Sequence, residues 1–123
     1  MITEDYVSFE TAKLLKEKGF NEECSRWYVA NEPQEGVVEM GFGENQFYIN
    51  APTLQMAMKW LREIYKLCIV IIPVVTDDDG SGGCLWEFII SKRLEIKYKS
   101  TYEYEFYEEA TEASIKYCLE NLI

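Results

Sequence analysis

The stretch APTLQMAMKWLREIYKL, residues 51–67, followed at once by CIVIIPVV, residues 68–75, decides the reading of this chain. The first stretch has the period of an amphipathic helix. Leu54, Ala57, Met58, Leu61, Ile64 and Tyr65 fall on one face, and Pro52 is of a type favoured at a first helical position. Gln55, Lys59, Arg62 and Lys66 make a polar, largely basic stripe beside that face. Met56, Trp60 and Leu67 lie on the other flank and widen the apolar surface beyond what packing on one sheet requires. That flank has two readings: more core, or, if exposed, a contact site for a partner, because soluble monomers rarely keep such a patch uncovered.

The second stretch is β-branched and nearly continuous, so it reads as a strand buried on both sides or at its centre, with Pro73 placing its end at an edge or a bulge. Residues 76–83, TDDDGSGG, form a turn, and residues 84–91 return as the partner strand of a hairpin. Leu94, Ile96 and Tyr98 alternate with charged residues, as in a half-exposed strand. Tyr102, Tyr104, Phe106 and Tyr107 alternate with Glu103 and Glu105 and, if extended, put aromatics on one face and carboxylates on the other. A last helix spans about residues 107–121, with Ala110, Ser114, Tyr117, Cys118 and Leu122 inward. Its Glu109, Glu112, Lys116 and Glu120 point outward, with Glu112 and Lys116 at the favourable four-residue spacing.

Upstream of the central helix the signals are local. Ser8 is an N-cap type before a helix at about residues 9–18, and Gly19 with Phe20 has the form of a Schellman ending. Short strands follow at 26–30, 37–40 and 46–49, separated by NEPQEG and GFGEN turns. The resulting order is roughly αββ(β)αββ(β)α. It predicts one α+β domain over residues 1–123: a two-layer sandwich with an antiparallel sheet of four to six strands and three helices.

With 22 acids against 12 bases the formal net charge is −10, which opposes the counterion-releasing contacts that non-specific nucleic-acid binding requires. The charge is uneven. Residues 1–50 carry ten acids and four bases, 51–101 six and seven, and 102–123 six and one, so two acidic ends flank a near-neutral middle. No segment has the length and apolarity of a membrane span. Residues 1–20 lack an apolar signal region, so a cytoplasmic location with four reduced cysteines is expected.

Catalytic chemistry is sparse. The chain has no histidine, which removes imidazole bases, Ser-His-Asp and Cys-His systems and His-metal sites. The cysteines at 24, 68, 84 and 118 have no CxxC spacing. DDDGSGG lacks the alternating ligand pattern and the exiting helix of an EF-hand, so it reads as a solvated hairpin tip. No phosphate loop or dinucleotide fingerprint is present. Neither a metal, a cofactor nor a catalytic residue is therefore assigned. Lys59, Arg62 and Lys66 form a candidate basic patch if the sheet brings Lys92, Arg93, Lys97 and Lys99 beside them; a solvated face with long stems over apolar surface is the preferred reading, because the net charge opposes a patch.

Three segments, YVSFETAKLLKEKGF at 6–20, APTLQMAMKWLREIYKLCI at 51–69 and YEEATEASIKYCLENLI at 107–123, together resemble a family of small proteins of gut Bacteroidetes genomes described as phage-related or hypothetical. That family's signature reads YVSFExAKLLKEKGF, APTxQxxxxWLRE and YEEAxExxxxxxLxxLI, and the resemblance covers a little under half of the chain. It implies a bacterial mobile-element setting and supplies no catalytic residues. In that family Ser or Thr often precedes the YEEA segment; here the position is Phe106, which leaves the helix start less well capped.

The expectation is then a non-enzymatic, phage- or mobile-element-associated accessory protein acting through protein contacts. The partner is expected to be another protein, and a homodimer through the second helix or a sheet edge is compatible with the same features. The competing reading is an acidic DNA mimic that inhibits a nucleic-acid-binding host protein, which needs carboxylates spaced along one face. An enzyme built on carboxylates, Tyr or Cys has no positive signal.

Overall fold

The computed structural model describes residues 2–29, 38–39, 48–75, 84–101 and 103–123. Its order is α1 (Phe9–Glu17), β1 (Arg26–Val29), β2 (Val38–Glu39), β3 (Tyr48–Asn50), α2 (Leu54–Tyr65), β4 (Cys68–Val75), β5 (Cys84–Lys92), β6 (Glu95–Lys99) and α3 (Tyr107–Tyr117). The last helix runs on into a π-helical turn, Cys118–Leu122. The fold is α+β, with three helices and six antiparallel strands among the described residues. These strands form two three-stranded sheets, ordered β2-β1-β3 and β4-β5-β6. The turns at 31–36, 41–45 and 76–83, and Tyr102, lie outside the described residues.

Local chemistry starts and stops α1. The Ser8 hydroxyl accepts from the Thr11 N–H. At the other end Gly19 takes φ +98°, the Phe20 N–H donates to the Leu15 carbonyl and the Gly19 N–H to that of Lys16, a Schellman closure. Phe20 folds back into the core and meets Trp60 edge-to-face at 5.3 Å.

Helix α2 departs from expectation at both ends. Its N-cap is Thr53, whose hydroxyl accepts from the Met56 N–H, so Pro52 precedes the cap. It ends at Lys66, a non-glycine residue held left-handed at φ 61°. The Leu67 N–H donates back to the Leu61 carbonyl at 3.2 Å, and the Lys66 ammonium donates to the Glu63 carbonyl at 3.0 Å. The turn aims Leu67 into the core and lets β4 start at Cys68.

Strand β4 pairs with β5 from Cys68↔Ser91 to Val75↔Cys84 and is an edge strand. This corrects the expectation of burial on both sides or at the centre: Val70 and Val75 are exposed, so is Cys68 at the start of the strand, and no residue of β4 is fully buried. Pro73 stands opposite Trp86, and Trp86 exchanges both of its backbone hydrogen bonds with Tyr104 on the far side, at 2.7 and 2.6 Å. In an antiparallel ladder Pro73 therefore directs its backbone toward the free edge, where it removes a donor. That discourages another strand from adding there. Among the described residues between β6 and α3, Tyr104 makes an isolated antiparallel bridge to Trp86, and α3 begins at Tyr107, where the sequence placed it.

The core lies between the helices and the inner sheet faces. Leu15, Leu61, Leu67, Ile90, Ile115 and Leu119 are fully buried. Helix α3 packs on β4 and β5 and touches both other helices. Its inward face is wider than periodicity indicated, since Thr111 and Ile115 are buried beside Ala110, Ser114 and Cys118. Thr111 satisfies its hydroxyl at the Tyr107 carbonyl, 2.8 Å away. Phe106, the N-cap of α3, makes no capping hydrogen bond and is exposed. Phe106→Ser is expected to stabilise the protein by about 1 kcal/mol, read as a higher urea midpoint at unchanged slope.

Candidate functional site

Residues 56, 60 and 64 fall four apart and share one flank of α2. Trp60, at the middle, is only 8% exposed: Phe20 covers one side and Tyr65 meets it edge-to-face at 5.2 Å. The Tyr65 hydroxyl donates to the Lys18 carbonyl at 3.0 Å and pins this corner to the end of α1. The cover stops there. Met56 on one side of Trp60 is 38% exposed, and Ile64 on the other is 58% exposed.

These three apolar side chains floor a groove of about 460 Å³. Its opposite wall is the segment leading into β1, which contributes Glu22 and Glu23, and α2 adds Glu63. The Glu22 carbonyl accepts from the Asn50 side chain at 3.1 Å, which fixes this wall against β3. Lys59 is the one base among the described lining residues. Among the described lining residues the ionisable groups are the Lys59 ammonium and the carboxylates of Glu22, Glu23 and Glu63.

Of the three flank residues read as core or, if exposed, as a contact site, only Met56 is exposed. Trp60 and Leu67 are buried, Leu67 at 1% exposure, because Phe20 covers the first and the left-handed Lys66 turns the second inward. Ile64, read from periodicity as core, takes their place at the surface, since it lies in the last turn of α2 beyond the cover of α1.

The basic residues are only partly gathered. Lys59, Arg62 and Lys66 are all exposed. The Cys68↔Ser91 pairing brings Lys66 to the same end of the sheet as Lys92 and Arg93. Lys97 and Lys99 lie on β6, the strand farthest from β4, so β5 stands between them and α2. Lys97 pairs with Glu95 at 3.1 Å, and Lys66 is engaged in closing its own helix.

The other polar features are structural. Burial pushes the Cys118 thiol up to about 12, and burial with the nearby Glu22 carboxylate pushes Cys24 to about 11. Both are poor nucleophiles at neutral pH. Among the described residues no three acids or thiols stand where they would hold a metal ion, and no helix is long and apolar enough to cross a membrane. Compared with known family models, curated proteins and solved structures, the chain matches none.

Proposed function

We propose that this is a non-enzymatic protein-binding module whose α2 groove receives an apolar segment of another protein. The exposure of Met56 and Ile64 on either side of a buried tryptophan carries the reading. Large apolar side chains in a concave, aromatic-backed site are the usual anchors of a protein interface. The apolar floor of Met56, Trp60 and Ile64 supports a binding role over a chemical one, and the chain has no histidine to serve as a base. A role in a phage or other mobile element is part of the proposal and rests on the resemblance of the three segments alone. The DNA-mimic alternative gains less support here, because the acids beside α2 share their surface with Lys59 and with two apolar side chains.

The test is capture from a nuclease-treated lysate of a gut Bacteroidetes host, with Ile64→Lys and Met56→Lys run beside the wild type. Both positions are exposed, so thermal midpoints are expected to stay near that of the wild type. Each change is expected to weaken capture by about 2 kcal/mol, the scale of an interface anchor. Capture at undiminished strength by both variants would remove the groove from the reading. If DNA competes the captured protein off, the mimic moves to first place.

A further inference from the structure

Resting on that reading of the groove, we infer that its occupant is the β5–β6 hairpin of a second copy of this chain. The hairpin tip is the groove's chemical complement. Leu94 is fully exposed and Ile96 is 65% exposed, and residues 92–99 carry Lys92, Arg93, Lys97 and Lys99 against a single acid, Glu95. The groove offers two exposed apolar side chains, three carboxylates and one ammonium. On a chain with net charge −10, this hairpin is a concentrated basic and apolar projection.

The turn itself is built against folding convenience. Arg93 and Leu94 sit at φ 52° and 69° between the paired residues Lys92 and Glu95. Two-residue hairpins of this kind favour Asn-Gly, because other residues pay a steric cost at positive φ. A leucine that is both left-handed and wholly in water contributes nothing to this monomer's stability. Contact with an apolar groove gives it a partner.

One other route to a dimer, strand addition at the β4 edge, is opposed by the missing Pro73 donor there. Docking of hairpin into groove joins two different patches. It closes into a dimer when both copies exchange hairpins, and otherwise propagates head to tail.

Analytical ultracentrifugation of the full chain, from low micromolar to near-millimolar concentration, tests the inference. Reversible self-association that weakens as salt is added is expected. Leu94→Gly removes the anchor while relieving the turn, so it should leave a folded monomer. Lys97→Glu and Glu63→Lys should each weaken association by about tenfold or more, and an equimolar mixture of the two should recover it. A wild type that is monomeric throughout overturns the inference, as does association that persists unchanged in Leu94→Gly or fails to recover in the mixture. A monomer whose capture of another protein is lost in Ile64→Lys overturns self-docking but leaves the groove standing as a site for a foreign partner.

Discussion

Leu61→Ala is expected to lower the unfolding free energy by about 3 kcal/mol, while Ile64→Ala, one turn away on the same helix, changes it by less than about 0.5 kcal/mol. The contrast follows from what covers each side chain. Leu61 is fully buried in the core cluster with Leu15, Trp60, Ile115 and Leu119, so truncation removes transfer energy and leaves a void that a close-packed interior fills only in part. Ile64 is already mostly in water. For a domain whose whole stability is about 5–15 kcal/mol, the first loss is a large share. Urea unfolding reads both, and a midpoint shift at constant slope assigns the change to stability. Equal losses at the two positions would mean that Ile64 is core, and the groove would lose one of its exposed anchors.

The same pair shows where sequence reasoning reaches its end. Helix period places residue 64 between Ala57 and Trp60, on the inward side, and residue 67 on the flank. Nothing in the period records that the cover from Phe20 reaches only as far as Trp60, or that Lys66 turns left-handed and reverses the direction of Leu67. Helix α1 was legible because its signals are adjacent in sequence: a serine three residues before the N–H it caps, and a glycine followed by an aromatic. Strand β4 was legible as a strand and misread in burial, since a β-branched run looks alike at the centre of a sheet and at an edge with a partly covered face. Met56 was legible as a contact candidate; Glu22 and Glu23, which face it, were not, because only the fold places the approach to β1 against α2.

Glu112 is the furthest case of this, and its replacement is the second large effect expected. Its sequence position, four before Lys116, predicts a surface ion pair within α3. Lys116 instead pairs with Glu10 of α1 at 2.8 Å. That contact raises the lysine's pKa and lowers the glutamate's, through the hydrogen bond first in both cases. Glu112 reaches the N-terminus of α1, where its Oε1 accepts from the Ser8 N–H at 2.8 Å and from the Thr11 hydroxyl at 2.7 Å. A carboxylate here meets unpaired backbone donors and the positive end of a helix dipole. It also fixes α3 to an element more than 100 residues away in sequence.

Glu112→Ala leaves the fully buried Thr11 hydroxyl with only Ser8 as a neighbour and is expected to cost about 2 kcal/mol, toward the middle of the range for hydrogen bonds to a charged group. Glu112→Gln keeps an acceptor in place and gives up the charge, for a loss of about 1 kcal/mol. Thr11→Val removes the hydroxyl with little change of shape. Combined with Glu112→Ala it should cost less than the two single changes added, by about 1 kcal/mol of coupling. Strict additivity in that cycle would show that Glu112 acts through the Ser8 N–H and the helix dipole alone. Coupling of the expected size would show that a side chain read as solvent-facing joins the first helix to the last.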